Sequence, residues 1–274
     1  MDSNLNIIKV NQEKCTSCGL CVEVCPSGVI SMGVEGPQAT GRHCIACGHC
    51  VAVCPYAALD NKKAPLAQQL PLESSPVLDA DTAARFLRTR RSIRRYKLDA
   101  VPREIILKLL DIARLAPTGS NSQGVSYLVI ENRETLHEIT AATVDWMEEL
   151  VQKGSPWGAY FAGSVDNYRK NGQDAILRDA PCLVVAITAK NFLPRGRDNT
   201  HFSLAYAELY APSIKLGTCW AGIFEACAVA GYEPLLKLLN LPEDMAVTGG
   251  LMVGYPKYTY KRLVDRNPLQ VMWQ

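Results

Sequence analysis

The strongest constraint on this chain is a cysteine grid written twice. Residues 15–26 read CTSCGLCVEVCP and residues 44–55 read CIACGHCVAVCP. Both obey C-x2-C-x2-C-x3-C-P, so Cys15, Cys18, Cys21 and Cys25 are matched by Cys44, Cys47, Cys50 and Cys54. Disulfide frameworks are usually spread through a short secreted chain, whereas most of these 274 residues are cysteine-poor. The opening stretch MDSNLNIIKVNQEKC also lacks the basic-then-apolar layout of a secretory signal. Metal ligation is therefore the favoured use of these thiols.

Zinc ribbons usually offer two cysteine pairs with a longer gap between them. Three cysteines at intervals of three suit a cubane, because a compact turn can bind three of its irons and leave the fourth for a thiolate from elsewhere. The doubled run resembles that of two-cluster bacterial ferredoxins, in which the fourth cysteine of each run serves the other [4Fe–4S] cluster. The resemblance implies a crossed assignment: Cys15, Cys18, Cys21 and Cys54 to one cluster, and Cys44, Cys47, Cys50 and Cys25 to the other. Pro26 and Pro55 turn the chain away after each crossing ligand. A module of about 60 residues rarely supplies enough core alone, so the metal would also hold it together. Gly19, Gly28, Gly41 and Gly48 let backbone N–H groups approach sulfur. His43 and His49 are expected at the surface or behind the ligands.

Beyond the grids the texture changes. Residues 63–80, with three prolines and two adjacent serines, read as a linker between a cluster domain (1–62) and a larger domain (81–274). Asp81 is placed to cap a short helix. Pro102 opens an amphipathic one, with Ile105, Ile106, Leu109, Leu110 and Ile112 on its apolar face. Residues 126–131, 182–188 and 245–256 read as strands, and 133–150 and 200–216 as helices. Strands and helices mix without a regular βαβ beat, so the expected class is α+β, a mainly antiparallel sheet with helices against it. Cys182, Cys219 and Cys227 lie in apolar sequence and are expected as buried core thiols. Net charge is +2, which predicts no nucleic-acid partner. No run of about 18 apolar residues suggests a membrane span, and the expected setting is the cytoplasm. No nucleotide-binding glycine motif follows a strand.

Two stretches carry the second centre. Residues 85–97, RFLRTRRSIRRYK, hold seven basic side chains and no acidic one. A solvated face, a nucleic-acid patch and a single phosphate site compete as readings; arginine forks match phosphate oxygens. Residues 116–124, APTGSNSQG, set Asn121 and Gln123 among small residues. Their amides can read a ring edge that alternates carbonyls with N–H.

Taken with LGTCWAG (216–222) and GYPKYTYKR (254–262), these stretches resemble the nitroreductase family of flavin enzymes from about residue 81 to the C-terminus. The whole chain is similar to a ferredoxin–nitroreductase fusion. The resemblance implies that Arg90, Arg91, Ser92 and Arg94 hold the FMN phosphate and ribityl chain, completed by Arg262 or Lys261. It implies that Pro117, Thr118, Gly119, Asn121 and Gln123 contact the ring, often from a partner subunit, and that a backbone amide near Ala221–Gly222 approaches N5. It implies a homodimer with FMN at the subunit interface. Many relatives read NSQPW where this chain has NSQGV, so Gly124 and Val125 alter the pocket wall. The aromatic-rich segment 146–168 reads either as a lid over the flavin or as a packed helical hairpin.

The function expected is an oxidoreductase that passes electrons between two [4Fe–4S] clusters and FMN to reduce a small oxidant such as a nitroaromatic, quinone or enone. The donor is a ferredoxin-like partner or NAD(P)H, and no side chain is assigned as catalytic. A non-enzymatic electron-transfer or redox-sensing module, and an iron–sulfur nucleic-acid-binding protein, are the alternatives.

Overall fold

The computed structural model describes residues 5–72 and 78–274, so 73–77 of the expected linker lie outside the described residues. By contacts the chain divides into two units: Met1–Val77 with Ser120–Ser122, and Leu78–Gly119 with Gln123–Gln274.

The first unit is built as a repeat. Strand β1 (Ile8–Val10) leads to helix α1 (Leu20–Glu23), hairpin β2 (Ile30–Gly33) and β3 (Gly36–Ala39), helix α2 (His49–Ala52) and strand β4 (Leu59–Asn61). β4 returns antiparallel to β1, pairing Ile8 with Asn61. Left-handed backbone recurs 29 positions apart: φ is 52° at Ser17 and 56° at Ala46, 83° at Gly19 and 73° at Gly48, and 58° at Gly28 and 48° at Ala57. The same turns therefore wind each grid, and they tie the repeat to backbone shape as well as to cysteine spacing. Ile7, Val29, Ile30, Val51 and Leu59 form a small core beside the cysteines. The first ten residues of the expected linker belong to this unit. Leu66 N–H donates to Asp60 Oδ1 (2.8 Å), and the Lys63 ammonium to the Cys44 carbonyl (3.3 Å).

The second unit runs α3 (Ala80–Thr89), α4 (Arg103–Ala113), β5 (Ser126–Ile130), α5 (Arg133–Gln152), α6 (Pro156–Asn171), β6 (Cys182–Ala189), α7 (Arg195–Tyr210), β7 (Gly217–Trp220), α8 (Gly222–Val229), α9 (Glu233–Leu239) and β8 (Met245–Gly254). Its sheet has the order β5-β6-β8-β7, and each neighbouring pair is antiparallel. β6 is a continuous apolar run because both of its faces are covered. Leu183, Val185 and Ile187 enter one core with α5, α6, α8 and α9. Cys182, Val184 and Ala186 enter the other with α4 and α7. Adjacent glycines in β8 let helices close on both faces. A Cβ at Gly249 would lie 2.8 Å from Thr200 Cγ2 of α7, and one at Gly250 would lie 2.9 Å from the Phe224 ring of α8.

Several local expectations change. The cap of α3 is Asp79, whose carboxylate accepts from Thr82 N–H at 2.9 Å; Asp81 lies in the first turn. The buried stripe of α4 is Ile106, Leu109 and Ala113. The helix expected over 200–216 starts earlier and ends at Tyr210, and Gly217–Trp220 is a strand instead of a continuation. Residues 156–171 form α6 and pack against α5 as a helical hairpin. Trp157 and Phe161 stack at 6.1 Å, and Trp146 meets Phe161 at 5.8 Å. Among the described residues no helix is long and apolar enough to cross a membrane.

Candidate redox centres

The first unit gathers its cysteines into two sets of four. Cys15, Cys18, Cys21 and Cys54 line one small cavity, and Cys25, Cys44, Cys47 and Cys50 line another. Each set combines three thiols from one grid with the last thiol of the other. The cause is visible in the turns: α1 and α2 each follow a left-handed glycine, and the next cysteine is carried past the end of its helix. All eight are free thiols. Among the described residues no three His, Cys, Asp or Glu side chains converge as a single ion would require. Backbone N–H groups point at sulfur: Val29 to Cys25 (3.3 Å), Ala46 to Cys44 (3.4 Å) and Ala58 to Cys54 (3.2 Å). Burial pushes the Cys21 and Cys50 thiols up. Four thiols around each of two cavities, with amides aimed at the sulfurs, fit a pair of cubanes. His43 and His49 are exposed.

In the second unit, residues 92–97 run between β7 and the chain beyond β8. Ser92 bridges to Thr218, Tyr96 bridges to Pro256, and Lys257 N–H donates to the Arg95 carbonyl (3.0 Å). This course brings the basic motif of residues 90–94 toward the last one. The Arg91 guanidinium donates to the Arg262 carbonyl and lies 4.7 Å over the Tyr260 ring. The remaining basic residues separate. Arg94 lines a cavity of about 740 Å³, Arg91 a separate one of about 350 Å³, and Lys261 is exposed. Arg90 pairs with Glu208 of α7 at 3.3 Å. Burial raises the Glu208 carboxyl, and Arg90 pulls it back down.

The larger cavity contains features that sequence alone did not single out. Arg178 and Arg197 join Arg94 on its wall, facing the aromatic side of the α5–α6 hairpin. Glu225 is 4% exposed; it accepts from Arg197 Nη2 (2.8 Å) and from Trp220 Nε1 (2.6 Å), which fixes the indole at the rim. Glu225 sits three residues past the LGTCWAG stretch, and only its buried position on α8 reveals it. Tyr168, grouped with the aromatic segment, packs against the core instead of lining this cavity. The Ala221 N–H donates to the Gly250 carbonyl (2.8 Å), so it is not available for a ring. Gly222 opens α8 and lines the cavity, and first-turn N–H groups lack helical partners.

The 116–124 loop is strained. Ser120, Asn121 and Gln123 all have positive φ, and such residues cluster at functional sites. Gly119 N–H donates to Asn199 Oδ1 (3.1 Å) and Gln123 N–H to Thr118 Oγ1 (3.0 Å). Asn121 groups with the first unit, where its amide donates to the Ile45 and Ala46 carbonyls (2.9 and 3.0 Å). Pro117, Gly119, Gln123 and Gly124 are exposed. The downstream cysteines are buried, and burial pushes Cys182 and Cys227 up to about 12. Cys219 is raised too, against the pull of Arg94 and the Ser92 hydroxyl.

Comparison with known proteins matches two families to separate stretches of the chain. Residues 87–255 match the model of the nitroreductase family, and residues 7–55 that of the 4Fe-4S dicluster domain. An iodotyrosine deiodinase of Danio rerio is 26% identical over 208 residues, spanning 72% of this chain and 68% of that one. A nitroreductase with bound FMN from Bacteroides fragilis superposes with a TM-score of 0.56 at 17% identity, over 69% of this chain and 97% of that one. One from Desulfitobacterium hafniense, also with bound FMN, gives 0.56 at 20% identity over the same shares.

Proposed function

The chain belongs to the nitroreductase family, and on that premise we propose that it is an FMN-dependent oxidoreductase fed or drained by two [4Fe–4S] clusters. The observation that carries this reading is the crossed gathering of eight thiols around two cavities, in the same chain as a nitroreductase fold.

The flavin, when bound, would turn single electrons into pairs for a small oxidant. The chain's own residues bind and orient it. Arg90, Arg91, Ser92 and Arg94, with Arg262 or Lys261, would hold the phosphate and ribityl end; the joining of Arg91 to the Arg262 carbonyl supports this grouping. The cavity of about 740 Å³, a size usual for cofactor pockets, would take the ring. Gly222, which opens α8 on the cavity wall, would offer its N–H to N5, and Trp220, held by Glu225, would flank the ring. Arg94 and Arg178 on the cavity wall would supply positive charge that favours a reduced, anionic ring, whereas Arg197 is paired with Glu225. Pro117, Gly119 and Gln123 lie exposed on one chain and Thr118 is half-buried, as expected if they meet the ring of a second copy. Exposed Phe202 and Tyr206 on α7, and Leu269, Met272 and Trp273 after β8, support a homodimer. We place the protein in the cytoplasm, with a nitroaromatic, quinone or enone as oxidant.

Protein purified without oxygen tests the reading by one visible spectrum and one extraction. Two flavin bands over a broad cluster shoulder are expected, with FMN released on denaturation. Cluster absorption with no flavin, even after FMN is added, would sink it. An anaerobic screen of ferredoxin-like donors against NAD(P)H then identifies the donor by flavin bleaching.

A further inference from the structure

The two thiol sites share a backbone plan and differ in their side chains. Val29 N–H on Cys25 (3.3 Å) and Ala58 N–H on Cys54 (3.2 Å) are the same bond 29 positions apart. The match fails in the strand that follows each grid. Where the first copy has exposed Met32 and Val34, the second has Asn61 and Lys63.

Asn61 is 2% exposed. Its Nδ2 lies 3.7 Å from Cys44 Sγ and 3.8 Å from Cys50 Sγ, and its Oδ1 accepts from Lys63 N–H at 2.9 Å. A buried amide needs partners, and the N–H side of this one finds them in two sulfurs of a single site. Behind it the Lys63 ammonium lies 3.3 Å from the Cys44 carbonyl. Among the described residues no side-chain donor is placed on Cys15, Cys18, Cys21 or Cys54. Donors to cluster sulfurs, and nearby positive charge, favour the added electron and raise a reduction potential.

We propose that Asn61, supported by Lys63, makes the site of Cys25, Cys44, Cys47 and Cys50 the higher-potential one. An electron given to the pair then rests there: it leaves the Cys15, Cys18, Cys21 and Cys54 site, which is oxidised, and reduces the other. No bond or proton moves. Asn61 acts through the cysteines and is a positioning residue. The inference rests on the reading that both sites hold [4Fe–4S] clusters.

The full chain, purified without oxygen, is first assayed for iron and sulfide; about eight irons per chain are expected for two cubanes, and their absence overturns the cluster reading itself. A dithionite titration followed by EPR should then give two one-electron waves. Asn61→Leu removes the donor. Asn61→Asp keeps the oxygen that accepts from Lys63, and Lys63→Met removes the charge. Each should lower only the higher wave. For the Asn61 variants the reduced-to-oxidised ratio at fixed potential should fall tenfold or more, about 59 mV for a one-electron couple. The proposal is overturned if the higher wave stays in place in Asn61→Asp and Lys63→Met, or if the lower one moves instead. Iron loss with an unshifted midpoint would mark Asn61 as structural only, and also overturns it.

Discussion

Replacing Cys54 by alanine should empty the site built from Cys15, Cys18 and Cys21, more than thirty residues away in sequence. Cys54 shares its cavity with those three, and its own grid partners Cys44, Cys47 and Cys50 share the other with Cys25. A cubane short of one thiolate is exposed to solvent at that iron, so about half of the iron should be lost. The first unit should also lose stability, because its apolar core is small and ligation contributes to folding. Native alkylation followed by peptide mass mapping reads the outcome by site. Cys15, Cys18 and Cys21 should become reactive while Cys44, Cys47 and Cys50 stay protected, and Cys25→Ala should give the reverse pattern. Labelling of Cys44, Cys47 and Cys50 in Cys54→Ala would mean that each grid serves its own cluster.

How much of this was legible in advance depends on the range of the interactions. The grids were readable because ligand spacing is a local covalent property. Their repeat at the level of φ was not, since Ala46 and Ala57 adopt left-handed backbone without a glycine to announce it. β5, β6 and β8 of the second unit are readable as apolar runs, β7 is not, and an antiparallel order is expected from the absence of a βαβ beat. Helix ends were misplaced where a cap lay one residue pair away, as with Asp79, or where apolar sequence ran on past Tyr210 into β7. α8 and α9 went unread. α8 buries Phe224, Cys227 and Ala228 against the sheet and α5 but exposes the small or apolar Gly222, Ala226 and Val229, while its charged Glu225 faces inward, so it shows no amphipathic period.

At the candidate site, residue types were legible and pairings were not. The sequence marks Arg90–Arg94 as a basic run, but only the fold brings Glu208 to Arg90 and Arg262 to Arg91. Glu225 has no local signal, since its partners Arg197 and Trp220 come from α7 and β7. The same limit applies to Asn61. An asparagine beside a linker is unremarkable until β4 turns it inward onto two sulfurs.

Arg90 is the residue where a binding role and a structural role must be separated. Its side chain and that of Glu208 are 27% and 14% exposed, so the pair is largely desolvated. Removing one member of a buried pair is costly because the other charge is left alone; with the exposure of Arg90 discounted, Arg90→Ala should cost about 1–3 kcal/mol near neutral pH. The sign with pH follows from Glu208. Burial, the larger influence, already raises its carboxyl, and Arg90 opposes the rise. Without Arg90 the carboxyl rises further. An acid raised on folding contributes stability below its unfolded value and loses it as pH climbs through the folded one. The deficit of Arg90→Ala should therefore be largest at pH 7–8 and shrink on acidification toward the carboxylate range, as read by denaturant titration at several pH values. Adding Glu208→Gln removes the lone charge and should restore stability at neutral pH. Flavin occupancy should not return with it, because the phosphate would still lack a guanidinium. If the double variant recovers both, Arg90 only neutralises Glu208, and the phosphate is held by Arg91, Arg94 and Arg262 alone. If Glu208→Gln restores neither and the deficit does not vary with pH, the pair is not the source of the loss.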